Sequence, residues 1–443
     1  MTKANLINKL ARRLPTEGRE ALAAITNAAR AQGLALYLVG GSVRDLLLQQ
    51  PTLDVDLTLE GDAPTLAQRV TAGLPGVRCL IHSAFRTATL KGSAFRLDVA
   101  TARAETYRRP GALPSIHPSS LRDDLFRRDF TVNAMALALT GSQTGDIIDP
   151  FDGKTDLDAG LLRVLHEGSF QDDATRILRG ARYESRLGFR LERRTLRWLK
   201  RDVGYLEGIS GPRVREELAR ALREPQPERI LLRLHRLGAL AAISPALSFD
   251  SRRARAFAWL REVQGEPPAM AYLVLLAWGL SPEEAAGLAA RLALTRRETE
   301  AVRAAPEARA LAAKLSREVK PSRAVERLSP LPPATVWALV ASARGRARQQ
   351  ALRYLRRWRY VRPSLDGRAL LAMGAREGPR LGQVLRRLKA ARLDGEVRSR
   401  RDEERLVRRL LADQRSLSQR VSLQADDRLK PVPQGFPEGE QPT

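Results

Sequence analysis

The feature that most constrains this fold is a change of pattern near residue 156. Before it, short apolar or alternating runs such as "LALYLV" and "LDVDLTLE" read as strands bounded by turn residues. After it, strand signals nearly vanish and Leu/Ala/Arg helices follow one another, punctuated by "SGPR", "GEPP" and "SPLPP". A chain patterned this way predicts an α/β head, a small mixed sheet with helices, followed by an all-helical body. At 443 residues it is also too long for one compact core.

Within the first part, residues 20–34 predict an amphipathic helix and "LALYLVGG" a strand ended by glycines. "SVRDLLLQQ" predicts a helix with Ser42 as its N-cap. "RTATLKGSAFRLDVATAR" predicts a hairpin around Lys91-Gly92, and residues 108–120, with three prolines and a glycine, a loop. The last stretch, 426–443, is polar and rich in Pro and Gly and is expected to be disordered.

Lys and Arg number 76 against 50 Asp and Glu, a net charge of +26. A surplus of that size points to a polyanionic partner, because Lys and Arg neutralise phosphates. One cysteine, Cys79, excludes a disulfide framework, and His82, His117, His166 and His235 are too scattered for a histidine metal cluster. The N-terminus lacks an apolar signal core, and the longest apolar run, residues 269–280, is too short to span a bilayer. A cytoplasmic protein with no membrane association is expected.

The chemistry concentrates in "GGSVRDLLLQQPTLDVDLTLE", residues 40–60. Asp54 and Asp56, two apart on a strand, share one face and present paired hard oxygens suited to Mg²⁺. Two such ions suit in-line phosphoryl displacement. The Gly40-Gly41 turn lets backbone approach a ligand closely, and Arg44 can add charge-assisted hydrogen bonds to a triphosphate. Asp98, on a neighbouring strand, is the candidate third carboxylate. "DGKT" at 152–155 is not a P-loop, since the glycine required five residues before Gly153 is Ile148.

"LVGGSVRDLLL…DVDL", "DLFRRDFTVNAMAL", "DPFDGKTDLDAGLLRVL" and "QDDATRILRGARYESRLGF" resemble class II tRNA nucleotidyltransferases. These are CCA-adding enzymes, with A-adding and CC-adding relatives and bacterial poly(A) polymerases. The resemblance implies a polymerase-β-like nucleotidyltransferase head (1–155), a helical neck with a base-recognition helix (156–240), and a helical body and tail that bind tRNA (241–425). It implies two Mg²⁺ ions on Asp54 and Asp56, with Asp98 as a further catalytic carboxylate. Gly41, Arg44 and Arg128 match nucleotide-contacting positions, and Asp129 and Asn133 share the motif of Arg128. Asp173, Arg176, Arg179 and Arg182, in steps of three, would lie one turn apart on a helix and offer a base-shaped hydrogen-bond edge. In the family the first two read the incoming base and the others support nucleotide binding.

Two departures stand out. Asp172-Asp173 replaces the usual Glu-Asp, and Pro212-Arg213, followed by Glu217, replaces a Glu-Arg pair. The segment "YRRPGALPSIHPSSLRDDL" occupies the place of a loop that CC-only members lack, and its "PGALP" wording is similar to A-adding enzymes. The expected activity is CCA addition to the tRNA 3′ end (acceptor stem and elbow bound) from CTP and ATP. A-adding or poly(A) activity is the first alternative and a non-catalytic RNA-binding protein the second. Arg386, Arg387, Lys389, Arg392, Arg398, Arg400 and Arg401 are expected to hold tRNA by its backbone.

Overall fold

A computed structural model describes residues 3–50, 54–112, 114–263, 268–317 and 320–412, apart from the side chains of 3–5 and 54; the expected disordered tail lies outside them. Two compact units, Met1–Arg303 and Ala304–Thr443, divide the chain.

The first unit opens with α1 (Lys3–Arg13) and α2 (Thr16–Ala31), then β1 (Ala35–Val39), α3 (Gly41–Leu47) and β2 (Asp54–Glu60). It continues through α4 (Ala63–Thr71), β3 (Arg78–His82), β4 (Thr87–Lys91) and β5 (Arg96–Thr101). β6 (Arg103–Thr106), β7 (Ser115–Pro118), α5 (Leu121–Phe126), β8 (Ala136–Ala138) and β9 (Ile147–Ile148) complete the head. Seven strands form one mixed sheet in the order β3-β4-β5-β2-β1-β8-β9. All its pairings are antiparallel except β2 with β5.

Alternation along β2 explains which face becomes core. Val55, Leu57 and Leu59 are buried with Ile25 of α2 and Leu66 of α4. On the opposite face, Thr58 Oγ1 donates to Asp124 of α5 at 3.4 Å, and Glu60 accepts from the Leu121 amide at 2.7 Å. α5 therefore covers the far end of this face, while Asp56, nearer its start, stays partly exposed.

Two expectations are corrected. Ser42 is not the N-cap: the cap is Gly40, at φ 72°, and α3 already begins at Gly41. Turning from strand to helix within one residue needs that positive φ, which pulls the helix start upstream. The Ser42 hydroxyl instead accepts from the Asp56 amide at 3.2 Å, tying α3 to β2. Nor is all of 108–120 loop, because β7 pairs antiparallel with β6. A two-stranded ribbon is edge on both sides, so Pro118 at the strand end sacrifices no ladder bond.

α6 (Gly153–Ala159), α7 (Ser169–Asp172), α8 (Thr175–Leu187), α9 (Arg193–Asp202), α10 (Gly211–Leu222) and α11 (Pro227–Arg236) follow. Among the described residues that follow, strand is confined to two residues each at 161–162 and 190–191, as the helical pattern predicts. The apolar run at 269–280 contains a buried helix, Met270–Leu276, and among the described residues no helix is long and apolar enough to cross a membrane. The second unit is helical and has its own core, including Leu365, Leu370, Val384, Leu388 and Val407.

Candidate active site

The parallel register of β2 and β5 sets Asp56 directly opposite Asp98, and Asp54 opposite Arg96. Neighbouring registered positions share a face, so Asp56 and Asp98 bring two carboxylates together. Asp98 is oriented from both sides: Thr89 Oγ1 donates to Oδ1 at 2.5 Å and Arg96 Nε to Oδ2 at 2.9 Å. β1 runs antiparallel beside β2 and ends at Gly40. The positive φ favours glycine there, and a Cβ at Gly40 would meet Arg128 Nη1, so that the guanidinium tip would have to move aside. Arg128 Nη2 pairs with Asp124 at 2.9 Å, while its buried Nε has no partner among the described residues.

Behind this turn runs a chain of buried polar contacts. Arg44 is 3% exposed; its Nε donates to Asp45 at 2.8 Å and its Nη1 to Asn133 Oδ1 at 2.5 Å. Asn133 Nδ2 donates to Asp129 Oδ1 at 2.9 Å. Arg179 Nη2 lies 2.7 Å from Asp129 Oδ2, an ion pair by distance whose approach leaves Oδ2 without an aligned hydrogen bond. Burial disfavours the Asp129 charge, but Arg179 and the Asn133 hydrogen bond outweigh it and hold its carboxyl below the usual range. For Arg179 burial likewise works against the charge, and Asp129 more than offsets it. Arg44 and Arg179 thus have protein partners, with Asn133 and Asp129 between them.

Asp173 does not begin a helical ladder. It sits between α7 and α8 with extended backbone, φ −144° and ψ 97°. Its Oδ1 accepts from the Thr175 amide at 3.0 Å and hydroxyl at 2.7 Å, so a local hydrogen-bonded turn starts α8 two residues later than the spacing suggests. Arg213 Nη2 pairs with Asp173 at 2.8 Å, and Arg213 Nη1 donates to the Gly111 carbonyl at 3.1 Å. The Pro-Arg variant therefore does brace the segment. Arg176, 4% exposed, donates from Nη2 to the Arg127 carbonyl at 2.7 Å and from Nη1 to Ser169. Arg182 lies 3.7 Å from Glu217 and 3.6 Å from Glu224.

Residues 36–163 match the poly A polymerase head domain, and residues 188–250 a probable RNA and SrmB binding site of polymerase A. The chain is 34% identical, over 85% of its length, to an A-adding tRNA nucleotidyltransferase of Geobacter sulfurreducens, but spans only 45% of that protein. It is 32% identical to a CC-adding tRNA nucleotidyltransferase of Deinococcus radiodurans, over 84% of this chain and 88% of that one. The Thermotoga maritima CCA-adding enzyme solved with tRNA superposes with a TM-score of 0.73 at 31% identity, over 92% of this chain and 98% of that one. This chain belongs to the tRNA nucleotidyltransferase family.

As a member of that family it is expected to hold Mg²⁺, and the donor set can be judged from the sheet. Asp56 and Asp98 are hard carboxylate donors in adjacent register, which suits that ion, and Asp54 begins the same strand. Among the described residues no group of three His, Cys, Asp or Glu side chains gathers as a metal site, and the Asp54 side chain falls outside them. The "DGKT" segment is structural in this tRNA nucleotidyltransferase fold. Its Gly153 and Lys154 amides both donate to Asp149 at 2.8 Å, so they are not open to a phosphate.

Two residues escape a reading based on motifs. Asp124, wholly buried, receives Arg127 at 2.6 Å and Arg128 at 2.9 Å; burial opposes its charge, yet those arginines hold its carboxyl below the usual range. Its spacing of three and four residues from the two arginines was the available signal. Tyr183 lies under two guanidinium groups, Arg44 at 5.2 Å and Arg182 at 4.8 Å. Nothing in the local pattern marks it.

Proposed function

We propose that this protein is a template-independent tRNA 3′-terminal nucleotidyltransferase that completes CCA from CTP and ATP. The observation that carries the reading is the Asp56–Asp98 pair in register beside the Gly40 turn, with Arg128 packed on that turn. In the reaction, the RNA 3′-hydroxyl attacks the α-phosphate of the bound nucleotide, a new phosphodiester forms, and pyrophosphate leaves. Asp54 and Asp56, with Asp98, hold Mg²⁺, which when bound activates the hydroxyl and neutralises charge on the leaving group. Arg128, anchored by Asp124 with its Nη1 beside the Gly40 turn, is the triphosphate donor of this reading. Asp173 and Arg176 read the incoming base, and the Arg44–Asn133–Asp129–Arg179 chain keeps the helix that follows them in register with the head. On this reading residues 1–155 are the head, 156–240 the neck and 241–425 the RNA-binding body and tail. In that tail, Arg386, Arg398 and Arg401 are exposed, whereas Arg392 is committed to the buried Glu403.

A second reading, addition of the terminal A alone, is favoured by the A-adding Geobacter relative and by the "PGALP" segment, whose Gly111 is bound to Arg213. Extension of transcripts ending before CCA, after C and after CC, with CTP, ATP or both, tests the two. Full CCA from the bare end supports the first reading, and extension of the CC end only supports the second. Extension that survives Asp54→Ala/Asp56→Ala refutes both.

A further inference from the structure

We infer that an aromatic shelf built on Phe126 stacks the 3′-terminal base of the RNA, an inference that rests on the proposed function. Phe126 ends α5, immediately before Arg127-Arg128, and is 44% exposed, one of few large apolar side chains so open. It is not left bare by poor packing. Its ring stacks on His166 with centroids 5.1 Å apart and planes 30° apart, and lies 5.7 Å from Phe151. Phe151 in turn carries the Arg122 guanidinium at 5.3 Å. An exposed ring stacked on one ring and tilted against a second, with cationic groups around it, is the kind of platform on which single-stranded nucleic acid stacks.

A cavity of about 150 Å³ adjoins the ring, lined also by Glu105, Tyr107, Asp172 and Arg176. Its charges favour a neutral guest. Arg127 is tied to Asp124 and Glu105, Arg176 to backbone carbonyls and Ser169, and the lining adds Asp123 and Asp172. Burial also pulls the His166 pKa down, which leaves an uncharged imidazole in the stack near neutral pH. A triphosphate finds no uncommitted cation there, whereas a base finds the exposed ring of Phe126.

Asp172 sets which bases fit. Its carboxylate, about a third exposed, meets His166 Nε2 at 3.5 Å and keeps lone pairs for an exocyclic amine. Cytosine and adenine carry that amine and uracil does not. Of the two base readers of the proposed function, Arg176 lines the cavity and Asp173 does not, so the shelf sets the terminal base beside the incoming one; Arg127 and Arg176 are both committed to protein partners, which leaves no cation in the cavity for the incoming triphosphate.

The test uses the full chain and a tRNA transcript with 2-aminopurine at its 3′ end, in the absence of nucleotide. Stacking on Phe126 quenches the fluorophore in the parent protein; Phe126→Ala abolishes the quench and Phe126→Trp restores it. In steady-state extension, Phe126→Ala raises KM for RNA by about 5- to 150-fold, the range of base–aromatic stacking, and leaves KM for ATP unchanged. Transcripts ending in U lose a similar factor against those ending in C. An unaltered quench and RNA KM in Phe126→Ala overturn the inference. A rise confined to the KM for ATP also overturns it and gives the shelf to the incoming nucleotide. Parent protein that neither binds nor extends the transcript refutes the proposed function, and this inference with it.

Discussion

Replacing Arg179 by Met tests whether the Asp129 ion pair locks the head to the α8 helix. Met keeps much of the side-chain volume and removes the charge, which leaves Asp129, 5% exposed, with only the Asn133 side chain and the Phe130 amide as donors. Breaking a buried pair from one side costs about 3–5 kcal/mol. Because the Arg179 side chain is 32% exposed, the low end, about 3 kcal/mol, applies. Unfolding entropy near 2.1 cal/mol/K per residue, over the unit spanning Met1–Arg303, makes that a fall in Tm of about 5 °C by calorimetry. The sign with pH is also set. In the parent protein Asp129 is held low, so its stabilisation is present above the unfolded carboxyl value and is lost as pH falls through the folded one. In Arg179→Met the largest opponent of burial is gone, the carboxyl rises, and the Tm deficit shrinks between pH 7 and pH 4. Adding Asp129→Asn removes the stranded charge and recovers about 2 kcal/mol. A single variant within about 1 kcal/mol of the parent, or a double variant no better than the single, refutes the lock.

Asp56→Asn is expected to cut nucleotide incorporation by about a thousandfold or more while the protein stays folded, because the lost charge serves the reaction; radiolabelled ATP incorporation with parallel calorimetry measures both. Gly40→Ala should cost about 1–3 kcal/mol from its backbone conformation and also displace Arg128, so weakened nucleotide binding by calorimetric titration must accompany the lower Tm. In the second unit, Glu403→Gln leaves Arg392 facing a neutral amide where a fully buried carboxylate also accepts from the Ser364 and Leu365 amides. About 2–3 kcal/mol should be lost there, read as earlier denaturant unfolding. Burial opposes the Asp124 charge but Arg128 and Arg127 depress its carboxyl, so the stability it supplies above the unfolded value should fall away as pH drops below about 4, and Asp124→Asn should flatten that acid limb.

Much of the head was legible because its signals are local. A strand alternates over two residues, so "DVDLTLE" announces both a buried Val-Leu-Leu face and a polar Asp-Thr-Glu face, and β2 has them. The hairpin around Lys91-Gly92 and the helical pattern beyond residue 156 are read at the same short range. Ser42 and Asp173 misled because each has a local competitor that spacing does not weigh. Gly40 can take the positive φ that starts α3 early, and Asp173 can bond the Thr175 amide and step out of the helix. The strand at 115–118 was hidden by prolines that an edge ribbon tolerates at its ends.

Arginine was the least legible residue type, for a physical reason. A guanidinium suited to a phosphate is equally suited to a carboxylate, since both offer paired oxygens to the same planar fork. Residue type and motif position therefore cannot tell which partner each arginine meets: Arg128 closes on Asp124, Arg44 on Asp45 and Asn133, and Arg179 on Asp129. The deciding partners lie far along the chain, Asn133 from Arg44 and Asp129 from Arg179, where no local periodicity reaches. In a site that must gather anionic substrate and metal-binding carboxylates together, inward-facing arginines keep the surrounding aspartates charged and fixed in place. Which arginine meets which carboxylate is set only by the three-dimensional pairing.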